Sequence, residues 1–285
     1  MPEVSDHSGE IDGLPVFWRS AFADADADAR GASVPIGGSV PLYLHGVPSN
    51  SDEWLEFLRR SGGLAPDLPG FGRSGKPGYL RYTIAEYDHF LERFLEQAGV
   101  ERVSLVVHDW GGVGLAFAQR FPERVERLVV INAVPFLPGY TWHRIARIWR
   151  RPLLGELAMG VIYRRTLRFI SKEANAAPGP MPEEWLDSVI DHFDQGTQRA
   201  ILRLYRSSPP EVLEAAGAGL SQLQMPALVV WGMQDPYLPA LFGRAYADAL
   251  GQAELVELPD AGHWPWLDRP DVVDRVVDFL AAGSR

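Results

Sequence analysis

Residues 103–114 read Val-Ser-Leu-Val-Val-His-Asp-Trp-Gly-Gly-Val-Gly. An apolar, β-branched run of strand length gives way at once to three glycines in four positions. Such a run reads as a buried strand, and clustered glycine marks backbone that turns sharply or passes close to other backbone. The chain therefore leaves a strand through a tight turn with Asp109 at its apex. A carboxylate displayed there is a nucleophile suited to alkyl or glycosyl carbons, on which it forms an ester. It is poorly suited to starting ordinary ester cleavage.

Strand-like runs fall at 14–18, 40–44, 104–108, 128–132, 227–231 and 254–257, and amphipathic helical stretches at 52–60, 84–98, 112–121 and 272–281. This alternation predicts a mostly parallel sheet covered by helices. It breaks between about 135 and 220, where helical patterns at 142–149, 153–170, 183–192 and 198–206 have no strand between them. An all-helical insertion there reads as a lid over the carboxyl ends of the strands, where open α/β sheets bind ligands. Between Thr141 and Lys172 it holds eight basic residues (Arg144, Arg147, Arg150, Arg151, Arg164, Arg165, Arg168, Lys172) against one acid, Glu156. These read as a solvated helix face, with a membrane or polyanion surface as the alternative. The Asp-Ala repeat at 24–29 reads as a solvated turn between early strands.

With 285 residues the chain can bury a large core in one α/β domain with an insertion. A net charge of −10 argues against a dedicated nucleic-acid binder, which needs a basic surface to neutralise phosphates. The absence of cysteine excludes disulfides, thiolate catalysis and cysteine metal sites. No signal-like start or membrane-length apolar run is present, so a cytoplasmic enzyme without a membrane partner is expected. No phosphate loop or clustered metal-ligand pattern appears, and neither cofactor nor metal is expected.

Three further segments fit around Asp109. Tyr43-Leu44-His45-Gly46-Val47-Pro48 ends an early strand; it reads either as a plain turn or as the source of a backbone N–H at Val47. With the N–H of Trp110, that group would hold an oxyanion forming on the Asp109 carboxyl. Residues 228–235 place Asp235 just past a buried strand, and residues 258–264 place His263 just past the last one.

With these residues in view, the chain resembles the α/β-hydrolase superfamily over nearly its full length. The order Asp109, Asp235, His263 is that fold's order of nucleophile, acid and base. Residues 67–75, Asp-Leu-Pro-Gly-Phe-Gly-Arg-Ser-Gly, match a further turn of the superfamily. His108-Asp109-Trp110-Gly111-Gly112 is similar to the branch of epoxide hydrolases and haloalkane dehalogenases, both of which use an aspartate nucleophile. Val107 departs from the small residue common two positions before the nucleophile. The resemblance implies a core of residues 1–135 and 221–285, with a helical cap of residues 136–220 inserted after the sixth strand.

The two activities of that branch differ in their leaving groups. An epoxide opens to a strongly basic alkoxide, which needs a proton donor, whereas a halide needs only hydrogen bonds. Epoxide hydrolases carry lid tyrosines, the second in a Tyr-Arg context about thirty residues before the acid. Tyr205-Arg206 stands thirty residues before Asp235, so Tyr205 is expected as one donor. Tyr163 is expected as the other, with Tyr140 as the alternative. Dehalogenases often place Asn after His-Gly, but Val47 stands here. Trp142, Trp149 and Trp185 could still supply an N–H.

The reading is thus an epoxide hydrolase acting on a small, apolar electrophile, with haloalkane dehalogenase as the alternative and a non-catalytic ligand receptor less favoured. Trp110, Trp264, His45 and Pro48 are expected to line the substrate site. Substrate identity and the choice between monomer and homodimer stay open.

Overall fold

A computed structural model describes residues 2–22 and 38–282. The Asp-Ala repeat at 24–29 lies outside the described residues. Eight strands form one sheet: β1 (Val4–Ile11), β2 (Leu14–Ala21), β3 (Val40–Leu44), β4 (Gly63–Pro66), β5 (Val103–Asp109), β6 (Val125–Ala133), β7 (Ala227–Gly232) and β8 (Ala253–Leu258). Their spatial order is β1-β2-β4-β3-β5-β6-β7-β8. The pairs β1–β2 and β2–β4 are antiparallel, and every pair from β4–β3 to β7–β8 is parallel. The expected mostly parallel sheet is therefore present, extended by two strands, β1 and β4. The β1–β2 hairpin turns through Asp12 and Gly13, both with positive φ, the conformation a two-residue hairpin needs to match strand twist.

All seven residues of β5 are buried, as are all six of β7, as expected for strands covered on both faces. Helices α1 (Leu55–Ser61), α2 (Ile84–Gln97) and α3 (Gly114–Arg120) lie between the strands up to β6. Thr83 and Glu86 close a reciprocal capping box at the start of α2.

Between β6 and β7 the chain is helical: α4 (Arg144–Trp149), α5 (Leu154–Gly160), α6 (Arg164–Ile170), α7 (Glu183–Ile190), α8 (Gln195–Ser207) and α9 (Pro210–Ala216). The single pattern expected over 153–170 is two helices, interrupted after Gly160. After β7 come α10 (Leu241–Leu250), α11 (Pro265–Asp268) and α12 (Asp271–Ala281). No helix among the described residues is long and apolar enough to cross a membrane.

Candidate active site

Asp109 ends β5 with φ 46° and ψ −119°. Positive φ is uncommon for a residue with a side chain, and strain of this kind is retained where the surroundings over-determine it. Here glycine permits the close approach. A Cβ on Gly46 would lie 2.6 Å from the Asp109 Cβ, and one on Gly111 would lie 2.0 Å from the Leu44 carbonyl oxygen. The β3 end and the turn after β5 therefore touch backbone to backbone, and the Val47 N–H donates to Asp109 Oδ2 at 2.8 Å.

Burial raises the Asp109 carboxyl above its ordinary range, opposed by His263, His108 and the N–H groups of Val47 and Trp110. His263 Nε2 lies 3.8 Å from Asp109 Oδ1, too long for a hydrogen bond. On the other side of the ring, His263 Nδ1–H donates to Asp235 Oδ2 at 2.7 Å. Burial would lower the imidazole, but Asp235, Asp109 and Glu53 outweigh it and hold His263 above its ordinary value.

Asp235 is fixed from three directions. The N–H groups of Tyr237 and Leu238 donate to its Oδ1 at 2.8 and 3.0 Å, and Asn132 Nδ2 donates to Oδ2 at 2.7 Å. Burial would raise this carboxyl, yet His263 and these donors keep it below the ordinary range. Asn132, at the end of β6 with φ 35°, also accepts from the Gly232 N–H at 2.7 Å. It thus locks the ends of β6 and β7 together beneath the acid.

A second layer runs through Glu53, whose side chain is 1% exposed. It accepts from the Gly46 N–H at 3.1 Å, from the Trp264 indole N–H at 3.2 Å and from the Ser49 hydroxyl. Its Oε1 also lies 3.4 Å from His108 Nδ1. His108 Nε2–H in turn donates to the His263 carbonyl at 2.9 Å. Burial would raise the Glu53 carboxyl, but His108 and the hydrogen bonds hold it low. One carboxylate therefore ties together the segments that carry Val47, Asp109 and His263.

An apolar cavity opens onto this group. Asp109, His263, Tyr205, Pro48, Trp264 and Tyr237 are among its lining residues, together with side chains from α4, α6, α7 and α8. Tyr205 is 4% exposed. Burial and the Asp109 charge keep its phenol protonated far above the usual range. The nearby Trp110 indole N–H acts in the opposite sense but does not reach hydrogen-bond geometry and has no partner among the described residues. Trp110 stacks on Trp142 at 5.5 Å and meets the Tyr205 ring edge-on at 5.2 Å.

Three expectations need correction. Tyr163 caps the start of α6 and is 59% exposed, outside the cavity lining. It falls at the break between α5 and α6 and not within one continuous 153–170 helix. Tyr140 is instead buried, feels the charges of Asp109 and Asp235, and has an unpaired hydroxyl. His45 does not line the cavity: its Nδ1–H donates to the Gly46 carbonyl and its Nε2 accepts from the Leu68 N–H, so both ring nitrogens are spent on backbone. Trp110 is packed against Trp142 and Tyr205 and is not in the cavity wall.

Glu53, Asn132, His143 and Tyr237 also belong to the site, and the sequence alone does not single them out. His143 lines the cavity, and burial together with the nearby His263 pushes it down to about 4, so its ring is neutral at ordinary pH. Tyr237, two residues after the acid, packs edge-on against the His263 ring at 5.1 Å. Its place directly after the acid-bearing turn was the available signal. The others carry none that distinguishes them from ordinary polar residues.

Residues 42–276 match the alpha/beta hydrolase family. A haloalkane dehalogenase of Mycolicibacterium paratuberculosis is 32% identical over 281 residues, covering 87% of this chain and 85% of its own length. A cis-3-alkyl-4-alkyloxetan-2-one decarboxylase of Shewanella oneidensis is 30% identical over 269 residues, covering 85% and 82%. The crystal structure of a haloalkane dehalogenase from Bradyrhizobium elkani superposes with a TM-score of 0.82 at 22% identity, over 98% of both chains.

Proposed function

Because the chain belongs to the alpha/beta hydrolase family and has its fold, we propose that it opens small, apolar epoxides to vicinal diols through an ester on Asp109. Helices α4 to α9 act in this reading as the cap, closing an apolar chamber over the nucleophile. The observation that carries the reading is Tyr205: a protonated phenol in the same cavity wall as Asp109, with the Trp110 indole N–H beside it and no acceptor for its own proton among the described residues.

Asp109 Oδ1 attacks a ring carbon, the C–O bond breaks, and Tyr205 gives its proton to the departing oxygen. The product is a hydroxyalkyl ester of Asp109 and a Tyr205 phenolate. Esterification removes the negative charge beside His263, so the imidazole loses part of what held it protonated and more of it is in the neutral form that can take a proton. His263 then takes a proton from water, and the hydroxide adds to the Asp109 carboxyl carbon. The N–H groups of Val47 and Trp110 hold the resulting oxyanion. Collapse expels the diol oxygen, which takes the proton from His263. The proton left on the Asp109 carboxyl returns to the Tyr205 phenolate.

A halide site is less complete. Val47 has no side-chain donor, and the Trp142 indole N–H is already given to the Ser208 carbonyl at 2.9 Å. Haloalkane dehalogenation remains the second reading because the Trp185 indole N–H, in the cavity wall, has no partner among the described residues and relatives bear that name. The oxetan-2-one named for another relative is also a strained ring that a carboxylate can open at a saturated carbon. Purified protein assayed against epoxide, haloalkane and oxetan-2-one panels separates the three. Diol formation without halide release supports the proposal. Halide release with epoxides untouched replaces it by the second reading, and turnover of oxetan-2-ones alone replaces both.

A further inference from the structure

Helices α4 to α6 carry two features that neither the core nor the reaction uses. Seven of the eleven large hydrophobic side chains left exposed among the described residues lie between Ile148 and Phe169. Leu153 is 77% exposed although its backbone is held at φ 68°, and Leu157, one helical turn on, is 69% exposed. Phe169 on α6 is 71% exposed. Apolar surface gathered in one region marks an interaction face.

Charge runs through the same face. Arg144, Arg164 and Arg168 pair with Glu173, Glu183 and Asp187. Arg147, Arg151, Arg165 and Lys172 are exposed and have no carboxylate partner among the described residues. They stand on a chain whose net charge is −10, so the region is a local reversal of the overall sign. The inner sides of the same helices, through Ile145, Trp149, Leu167 and Ile170, line the cavity above Asp109.

We propose that the α4–α6 face docks on an anionic lipid surface. Leu153, Leu157 and Phe169 enter the acyl boundary, while Arg147, Arg151, Arg165 and Lys172 meet the headgroups, the division of labour of interfacial helices. A second copy of this chain fits the face poorly, because a two-fold contact would set the same unpaired cations opposite one another. A nucleic acid would leave the exposed leucines in water. Helices α4 and α6 are also walls of the reaction cavity, so the docked face adjoins the chamber that receives an apolar substrate. The proposal holds whichever electrophile the site takes.

The test is co-sedimentation of the full chain with phosphatidylcholine vesicles, with or without phosphatidylglycerol. Binding is expected only with phosphatidylglycerol, and is expected to weaken as salt screens the surface. Arg147→Gln, Arg151→Gln and Arg165→Gln should each weaken it, on the order of fivefold per charge removed. Leu153→Ser with Leu157→Ser should also abolish most of it. Both variant sets should turn over a water-soluble substrate at the parental rate without vesicles, which shows that they are folded. Failure to bind either vesicle, equal binding to both, or insensitivity to both variant sets overturns the proposal. So does self-association that is lost in the leucine variant without any vesicle binding, or capture of duplex DNA in place of vesicles.

Discussion

Replacing Tyr205 with Phe removes one hydroxyl and almost no volume. That hydroxyl has no acceptor for its proton among the described residues, with the Trp110 indole N–H beside it, while the ring is held by Trp110, Trp142 and Trp149 at centroid distances of 5.2, 4.8 and 5.1 Å. The substitution therefore leaves the packing intact and deletes only what the phenol gives to the reacting oxygen. A hydrogen bond to a developing charge contributes about 1.5–3 kcal/mol, and each 1.36 kcal/mol is about tenfold in rate. Epoxide opening should slow roughly ten- to a hundredfold, with the smaller loss if the Tyr140 hydroxyl takes over. Binding of the product diol should change far less, because the alkoxide exists only as the bond breaks. Stopped-flow tryptophan fluorescence reads the first step, since Trp110 adjoins the nucleophile. Epoxide opening at the parental rate in Tyr205→Phe would refute the assignment of Tyr205 as proton donor.

The remaining predictions concern the groups around the nucleophile. Glu53→Gln removes a negative charge that raises His263, so the imidazole pKa falls. The base must be neutral to act, so the acid limb of ester hydrolysis should move to lower pH; an unchanged or upward-shifted limb in the pH–rate profile argues against this coupling. Asn132→Ala leaves the buried Gly232 N–H without its acceptor, costing about 1–3 kcal/mol. Calorimetry should show Tm lower by several degrees, and rapid quench should show ester hydrolysis slowed more than ester formation. Gly46→Ala forces a Cβ against Asp109 and should abolish most turnover. Gly78→Ala, which meets nothing within 4 Å, should be silent in the same assay.

The parts of this molecule that the sequence reveals are those encoded by strand ends. Strand runs followed by glycine-bearing turns locate Asp109, Asp235 and His263, because a strand leaving the carboxyl edge of the sheet exposes its next residues to a cleft. Strand β4 is four residues, Gly-Leu-Ala-Pro, too short for any period to register. Strand β1 alternates weakly because much of it is exposed, and only its Asp12-Gly13 turn announces it. In one dimension Tyr163 stands ahead of Tyr140. Tyr163 falls at the break between α5 and α6 and is exposed, whereas Tyr140 is buried, and that break depends on packing rather than on any strong stop signal. Glu53 resembles an ordinary helix-start carboxylate, and its importance arises from four partners far apart in sequence or contributed by different turns.

Isotope placement tests directly whether Asp109 acts as the nucleophile. In a single turnover with excess enzyme in water carrying heavy oxygen, water attacks the ester carboxyl carbon, not the substrate carbon. The diol should leave with an oxygen that belonged to Asp109. The label should be found by peptide mass spectrometry in the fragment containing Asp109, with none in the product. Label in the diol on that first turnover, with an unlabelled Asp109 peptide, would mean that water attacks the substrate directly and that no ester forms.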